Sequence, residues 1–326
     1  MTSLALTPAA HAALAARPVE LLDTWLGTKA AGTQRLYRHA LREFGHWALG
    51  DACASDAAAL ELLLTGGHAN AQRLAHGWAA HLTARNLAPR TTTRLLSSLS
   101  SLVRMARVAG LVPWALEGLP RSNEPRHDRS GPRRSAVERI VEHLEETAQQ
   151  GGPDAARARR DLAIVRLLHG AGLRRAEVSG LDVGGVERDD SGAVVAVRVR
   201  RKGGREPQRV TIGQRAAAAL GDWLQVLGAG AGQPAFPRLD RGAALAGGGR
   251  LSGEAIRLLV AARAREAGVR GPVRPHGLRH RGATDAARGG LDELVAWGGW
   301  MSVKSALPYL DDSAEARERA MRRAEV

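Results

Sequence analysis

Residues 118–134 read GLPRSNEPRHDRSGPRR, a run rich in Pro, Arg and Ser with no apolar periodicity. A hydrophobic core cannot run through such a segment, because it buries too little apolar surface to offset the entropy of ordering it. The chain therefore builds one core on each side, and its 326 residues suffice for two domains of ordinary size. The expected layout is a helical domain over 1–117, a basic linker over 118–134 and a second domain over 135–326.

The first part reads as a small helical bundle. Residues 19–26 are a short apolar-rich stretch, and Thr33 is placed to cap a helix where Leu36, Tyr37, Ala40, Leu41, Phe44 and Trp47 recur at helical spacing. Helices are expected at 57–64 and 68–85, the second with Leu74, Trp78, Ala79 and Leu82 on one face. Asn86 and Pro89 break the chain. Residues 91–109 then carry a stripe of Leu95, Leu99, Leu102, Val103 and Ala106, stopped by Gly110.

Past the linker, helices are expected at 135–149 and 154–169, the latter ended by Gly170 and Gly172. Val195, Val197 and Val199 alternate with Ala196, Arg198 and Arg200, and Val210 and Ile212 alternate again after Arg201-Lys202-Gly203-Gly204-Arg205. That is a β-hairpin with a basic tip. A helix at 215–227 leads into a Gly-rich stretch, 228–250, expected as a flexible loop without an assigned role. Ser252 caps a basic helix reaching Gly268, with Ile256, Leu259 and Val260 inside and Arg257, Arg263 and Arg265 outside. Further helices are expected at 277–288, 291–299 and 313–324. The fold class is mainly α with a small β-sheet, α+β overall.

Charge narrows the partner. Lys and Arg total 47 against 33 Asp and Glu, a net charge of +14, and only Lys29, Lys202 and Lys304 are lysines. Guanidinium groups pair bidentately with phosphate and keep their charge when partly buried, so a polyanion fits, nucleic acid before an anionic membrane surface. Coding bias accounts for Arg replacing Lys, not for the excess over acids. Cys53 is the sole cysteine, which excludes an internal disulfide and a cysteine-rich zinc module. No apolar run approaches ~18 residues and MTSLALTPAAHAALAARP has no basic segment ahead of an apolar one, so a soluble cytoplasmic protein is expected. None of the three lysines follows a glycine, so the Gly-Lys-[Ser/Thr] phosphate loop is absent.

Four segments of the second part stand out in order: Gly172-Leu173-Arg174-Arg175-Ala176-Glu177-Val178; the hairpin tip with Lys202; Pro275-His276-Gly277-Leu278-Arg279-His280; and Gly298-Gly299-Trp300, followed nine residues later by Tyr309. Together they resemble the boxes of the tyrosine recombinase (phage integrase) family, of the simple two-domain Xer-like type. TTTRLLSSLSSLVRMARVAGLV is similar to the family's core-binding domain. The resemblance implies a SAM-like helical DNA-clamp domain followed by a catalytic domain. It implies that Arg174 and Arg279 grip the scissile phosphate, with Lys202 the hairpin lysine, His276 the box histidine, Trp300 in the His/Trp position and Tyr309 the nucleophile. Glu177 and His280 match positions behind that set. It further implies double-stranded DNA with inverted-repeat sites as partner, no membrane, no cofactor and no metal. Four protomers would act on two sites through a Holliday junction, as a homo-tetramer or a hetero-tetramer with a paralogue, in the cytoplasm at the nucleoid. Candidate DNA-contacting arginines are Arg35, Arg38, Arg90 and Arg94 in the bundle, Arg200, Arg201 and Arg205 on the hairpin, and Arg257 and Arg263 on the basic helix.

The chemistry agrees with these roles. Attack by a hydroxyl on a phosphodiester builds negative charge on a five-coordinate phosphorus, which two guanidinium groups can neutralise at roughly 10²–10³ in rate per donor. The phenol must lose its proton and the departing 5′ oxygen must gain one, which a histidine or water and a desolvated lysine can handle. Blander readings exist for each residue: Arg174 and Arg175 as a helix-start surface pair, Lys202 as a solubilising turn residue, Trp300 and Tyr309 as core. His276 and His280 at i,i+4 could ligate zinc, but a His-Glu-x-x-His pattern and a third ligand are missing. Pro308 predicts a helix break just before Tyr309. Two rival functions share the fold: a non-catalytic DNA-binding regulator and a type IB-like topoisomerase.

Overall fold

A computed structural model describes residues 17–50, 55–121, 131–201, 204, 206–240, 242, 245–298, 306–309 and 321. The chain divides into two compact units, residues 1–127 and 128–326, each with its own core.

The first unit consists of α1 (Arg17–Gly27), α2 (Ala31–Leu49), α3 (Asp56–Leu64), α4 (Gly67–Ala84) and α5 (Pro89–Val108). Phe44 and Trp78 meet edge-on at its centre, ring centroids 5.5 Å apart, among the buried Leu41, Leu60, Leu63, Leu82 and Leu99. Two expectations are corrected here. Thr33 is not the cap of α2: Ala30 holds that position, and the Thr33 N–H lies in the first turn, donating to Ala30 O at 2.8 Å. Pro89 opens α5 rather than interrupting the chain ahead of it, since a first-turn N–H has no intrahelical partner to lose. Asn86 supplies the turn instead, at φ 53°, a left-handed conformation that asparagine tolerates.

The second unit contains α6 (Arg134–Gln149), α7 (Gly152–His169), α8 (Arg175–Gly180), β1 (Val186–Arg188), β2 (Val194–Val199), β3 (Gln208–Thr211), α9 (Gln214–Leu227), β4 (Pro237–Leu239), β5 (Leu245–Arg250), α10 (Gly253–Glu266), α11 (Pro275–Ala286) and α12 (Leu291–Gly298). Helix α7 is the axis, with α6, α9 and α11 packed on it. Its Ile164, Val165, Leu167 and Leu168 are fully buried. So is Asp161, which accepts from Arg160 Nε at 2.9 Å and from Arg263 Nε at 2.8 Å. A buried carboxylate requires such partners. Arg263 of α10, expected on the outer face, is accordingly drawn inward.

Strands β1, β2 and β3 form an antiparallel sheet in that order, Val197 standing opposite Val186 on one side and Val210 on the other. The three-residue β1 is too short for alternation to reveal it. Burial along β2 is not strictly alternating, because Val194, Ala196, Val197 and Val199 are all buried with α8 and α9 both packed on the strand.

The Gly-rich stretch 228–250 is corrected from a loop to built structure. Ala235 and Phe236 are fully buried, Trp223 Nε1 donates to Ala235 O at 2.7 Å, and β4 pairs antiparallel with β5. Arg250, closing β5, donates Nη1 to Ser179 O and Leu181 O at 2.9 Å each and reaches Asp182. The stretch therefore ends by capping α8, the short helix that follows Arg174. Arg250→Met is expected to cost ~1–3 kcal/mol through those unsatisfied carbonyls, read as a lower urea midpoint; an unchanged midpoint would remove the capping role.

Candidate active site

The chain leaves α7 through Gly170 and Gly172 and enters α8 at Arg175. Gly172 has φ +60°, and a Cβ there would lie 2.5 Å from the Trp297 ring. Leu173, fully buried, anchors the next residue. Arg174 occupies the N-cap of α8, and Glu177 reaches back to it. The Glu177 carboxylate accepts from the Arg174 N–H and from its Nη1, both at 2.8 Å. A glutamate at the third helical position commonly secures a helix start this way; here it also aims a guanidinium. The Glu177 side chain is 2% exposed and that of Arg174 is 40%, so the acid is hidden while the base is presented.

Arg279 comes from α11, one turn beyond the exposed His276 and on the same face. It is 3% exposed, and its guanidinium carbon stands 5.9 Å from the centroid of the Trp297 ring, a cation–π distance. Burial, then the charge of Arg174, pushes its pKa down to about 10, while Glu177 and Tyr309 pull it upward. It remains a cation at neutral pH. Trp297, which the sequence reading did not single out, donates Nε1 to Gly170 O at 2.8 Å. On α11, a Cβ at Gly282 would lie 2.0 Å from His169 O and 2.8 Å from the same ring. Glycines 172 and 282 were the only sequence signal that a large side chain sits between these segments.

Arg174, Arg175, Arg257, Arg274, Arg279 and His276 line one cleft of about 380 Å³, and no carboxylate lines it. Five arginines lining one cleft favour an anion there. Tyr309 sits at the end of a 3₁₀ turn, Leu307–Tyr309, where a proline needs no continuing helix. Its ring centroid is 4.7 Å from that of His280, itself 7% exposed, and it packs with Ala283, Leu294 and Ala306. Tyr309 is outside the cleft lining but within electrostatic reach of Arg279. Among the described residues no group of three His, Cys, Asp or Glu side chains could hold a metal, and no helix is long and apolar enough to cross a membrane.

Arg201 also turns inward, contrary to its expected place on a DNA-facing tip. Its Nη1 donates to Gly298 O at 2.7 Å. Burial lowers its pKa, with Glu177 raising it and Arg174 lowering it, so it belongs to the same charge cluster. Arg200 stays exposed. Lys202, Arg205 and Trp300 lie outside the described residues, as does the helix expected at 313–324 apart from Met321. In the first unit, Arg35 and Arg94 are exposed and Arg90 is half-buried. Arg38 instead clamps Asp23 at 2.9 Å and Asp56 at 3.2 Å, and those carboxylates raise its pKa. Arg257 holds Glu254 through Nε at 2.8 Å and Nη2 at 2.6 Å.

A helical catalytic-type unit with a small antiparallel sheet and a multi-arginine cleft beside a tyrosine is the arrangement these residues form. Residues 133–316 match the phage integrase family. Tyrosine recombinase slr0733 of Synechocystis sp. is 32% identical over 260 residues, 79% of this chain and 78% of the relative. Tyrosine recombinase XerC of Chromohalobacter salexigens is 36% identical over 202 residues, 60% of each chain. The fold is shared with the Tn1549 transposon integrase in complex with transposon right end DNA (TM-score 0.62, 15% identity, 95% of this chain and 99% of that one). It is shared too with a lambda integrase dimer bound to a core site (TM-score 0.62, 14% identity, 91% and 96%). The chain belongs to the phage integrase family and, within it, to the tyrosine recombinases. Its enzymatic class is that of the site-specific recombinases.

Proposed function

We propose that this enzyme cuts and rejoins double-stranded DNA at a specific site through a 3′-phosphotyrosyl intermediate, without ATP or metal. The observation that carries the reading is the cleft holding Arg174, Arg279 and His276, with the Tyr309 ring tilted against the adjoining His280 at 4.7 Å between centroids. Tyr309 Oη attacks the scissile phosphorus and forms the P–O bond, and the bond from phosphorus to the 5′ oxygen breaks. The phenolic proton passes to a neighbouring histidine or water, and the departing 5′ oxygen takes a proton from Lys202. Arg174, aimed by Glu177, and Arg279, seated on Trp297, neutralise the charge that builds on the non-bridging oxygens. The phosphotyrosyl ester keeps the energy of the broken bond, so a 5′ hydroxyl from a second duplex reverses the step and rejoins the strands.

On this reading residues 1–117 are the DNA clamp, 118–134 a basic linker and 135–326 the catalytic domain. Two duplexes carrying inverted repeats would be held by four protomers through a Holliday junction, in the cytoplasm at the nucleoid. A nicked suicide duplex carrying the cognate site tests the chemistry. The expected result is a covalent protein–DNA adduct whose attached peptide contains Tyr309, and none from Tyr309→Phe. DNA bound without any adduct would turn the reading to a regulator. Relaxation of plasmids lacking a defined site would turn it to a topoisomerase.

A further inference from the structure

The cleft holds more cationic groups than one phosphate uses. Arg174 and Arg279 suffice for the scissile group, yet Arg175, Arg257 and Arg274 line the same space. Its volume of about 380 Å³ equals roughly a dozen waters at ~30 Å³ each, the room of a nucleotide unit rather than of a single phosphate. The three extra arginines come from three different elements: Arg175 opens α8, Arg257 lies in the second turn of α10 and Arg274 is the N-cap of α11. Arg175 is seated by packing, because a Cβ on Gly253 would stand 3.3 Å from its Cγ.

One carboxylate, outside the cleft lining, already pairs with two of them. Glu254, 60% exposed, is gripped by Arg257 at 2.6 Å and faced by Arg175 at 3.6 Å. Arg257 and then Arg175 hold its pKa below the usual carboxylate range, so it stays ionised at neutral pH. Among the described residues no acid pairs with Arg274. An exposed internal ion pair is weak and screened by salt, which makes it exchangeable for a better anion.

We propose that Arg175, Arg257 and Arg274 form a second anion subsite for a DNA phosphate next to the scissile one, with Glu254 as an internal carboxylate that the phosphate displaces. This rests on the proposed function and deepens it. When the backbone enters, Arg257 and Arg175 exchange Glu254 for a phosphate oxygen and Arg274 joins them. Glu254 thereby weakens binding of any polyanion and sets a threshold against loose backbone association.

The test is the salt dependence of binding to a duplex carrying the cognate site, followed from about 50 to about 300 mM salt, roughly a sixfold range of concentration. Arg274→Ala is expected to flatten the slope of log K against log salt by about 1, the value of one lost phosphate contact. Glu254→Gln is expected to tighten binding several-fold and to steepen the slope, because Arg257 and Arg175 then meet the phosphate with no competitor. Arg188→Ala, on the far sheet edge and outside the cleft lining, is the control and should leave the slope where it was. Thermal melting of each variant reports whether it is folded. If the wild type binds and forms its Tyr309 adduct while Arg274→Ala and Glu254→Gln leave the slope unmoved, the subsite is wrong and the recombinase reading stands. If the wild type forms no adduct but both variants move the slope, the subsite stands and the catalytic reading falls.

Discussion

Arg279→Met is expected to make the folded protein more stable while it abolishes covalent attachment to DNA. The guanidinium is 3% exposed, and its pKa is pushed down to about 10, by burial first and by Arg174 second. The folded state therefore holds that proton less firmly than the unfolded chain does. The resulting cost is present in full below about pH 10 and fades as pH rises above it. Replacing buried ionic groups by apolar side chains is commonly neutral or stabilising by ~1–4 kcal/mol so long as no buried charge is left unpaired, and Glu177 keeps its bonds to Arg174 when Arg279 is removed. A rise in melting temperature at pH 7 should shrink when the comparison is made above pH 10. Adduct formation from a suicide duplex should fall by at least ~10²–10³, the effect of one lost oxyanion-type donor. A variant that melts lower than wild type at pH 7 would mean that the charge is net favourable in the folded state, against the direction of its pKa shift. A site that carries a cost in the resting protein and repays it only when a phosphate arrives is the expected signature of function over stability.

Trp297→Ala should do the opposite to stability and a similar thing to catalysis. The ring fills the slot between Gly172 and Gly282, bonds Gly170 O and underlies Arg279. Its removal strips a half-buried ring from the packing of α7, α11 and α12, with an expected loss of up to ~3 kcal/mol. Trp297→Phe separates the two roles. It keeps a ring in the slot and loses the indole bond, so about 1 kcal/mol is expected. If Arg279 depends on the indole for its position, Trp297→Phe should still lower single-turnover adduct formation by up to ~10²-fold at saturating DNA. A Phe variant with full cleavage would reduce Trp297 to packing.

Much of the architecture was legible because helices advertise themselves locally. Stripes such as Leu95, Leu99, Leu102 and Val103 marked α5, and the Val-rich alternation marked β2 and β3. What escaped had no periodic signal of its own. Strand β1 is three residues long, and the core contribution of Ala235 and Phe236 was hidden among glycines. In the cleft, the two box arginines and His276 were readable as motifs, and the structure brings them to one wall. Arg175 had the blander reading of a helix-start surface charge and Arg274 was not singled out, since a lone arginine in sequence does not disclose what it faces.

By itself the amino-acid sequence determined the kinds of element, the break between the two parts, the excess of cations and the ordered boxes that mark the family, all of which depend on near neighbours along the chain. Only the tertiary structure decided which cations serve an anion and which serve the fold. Arg263 went to Asp161 and Arg38 to Asp23 and Asp56, while Arg174, held by Glu177, lines one cleft together with Arg274 and the buried Arg279. The reason is that a guanidinium's role is set by the carboxylate, ring or solvent within a few ångströms of it, and for Asp161 and Arg263 that partner lies 102 residues away in the chain.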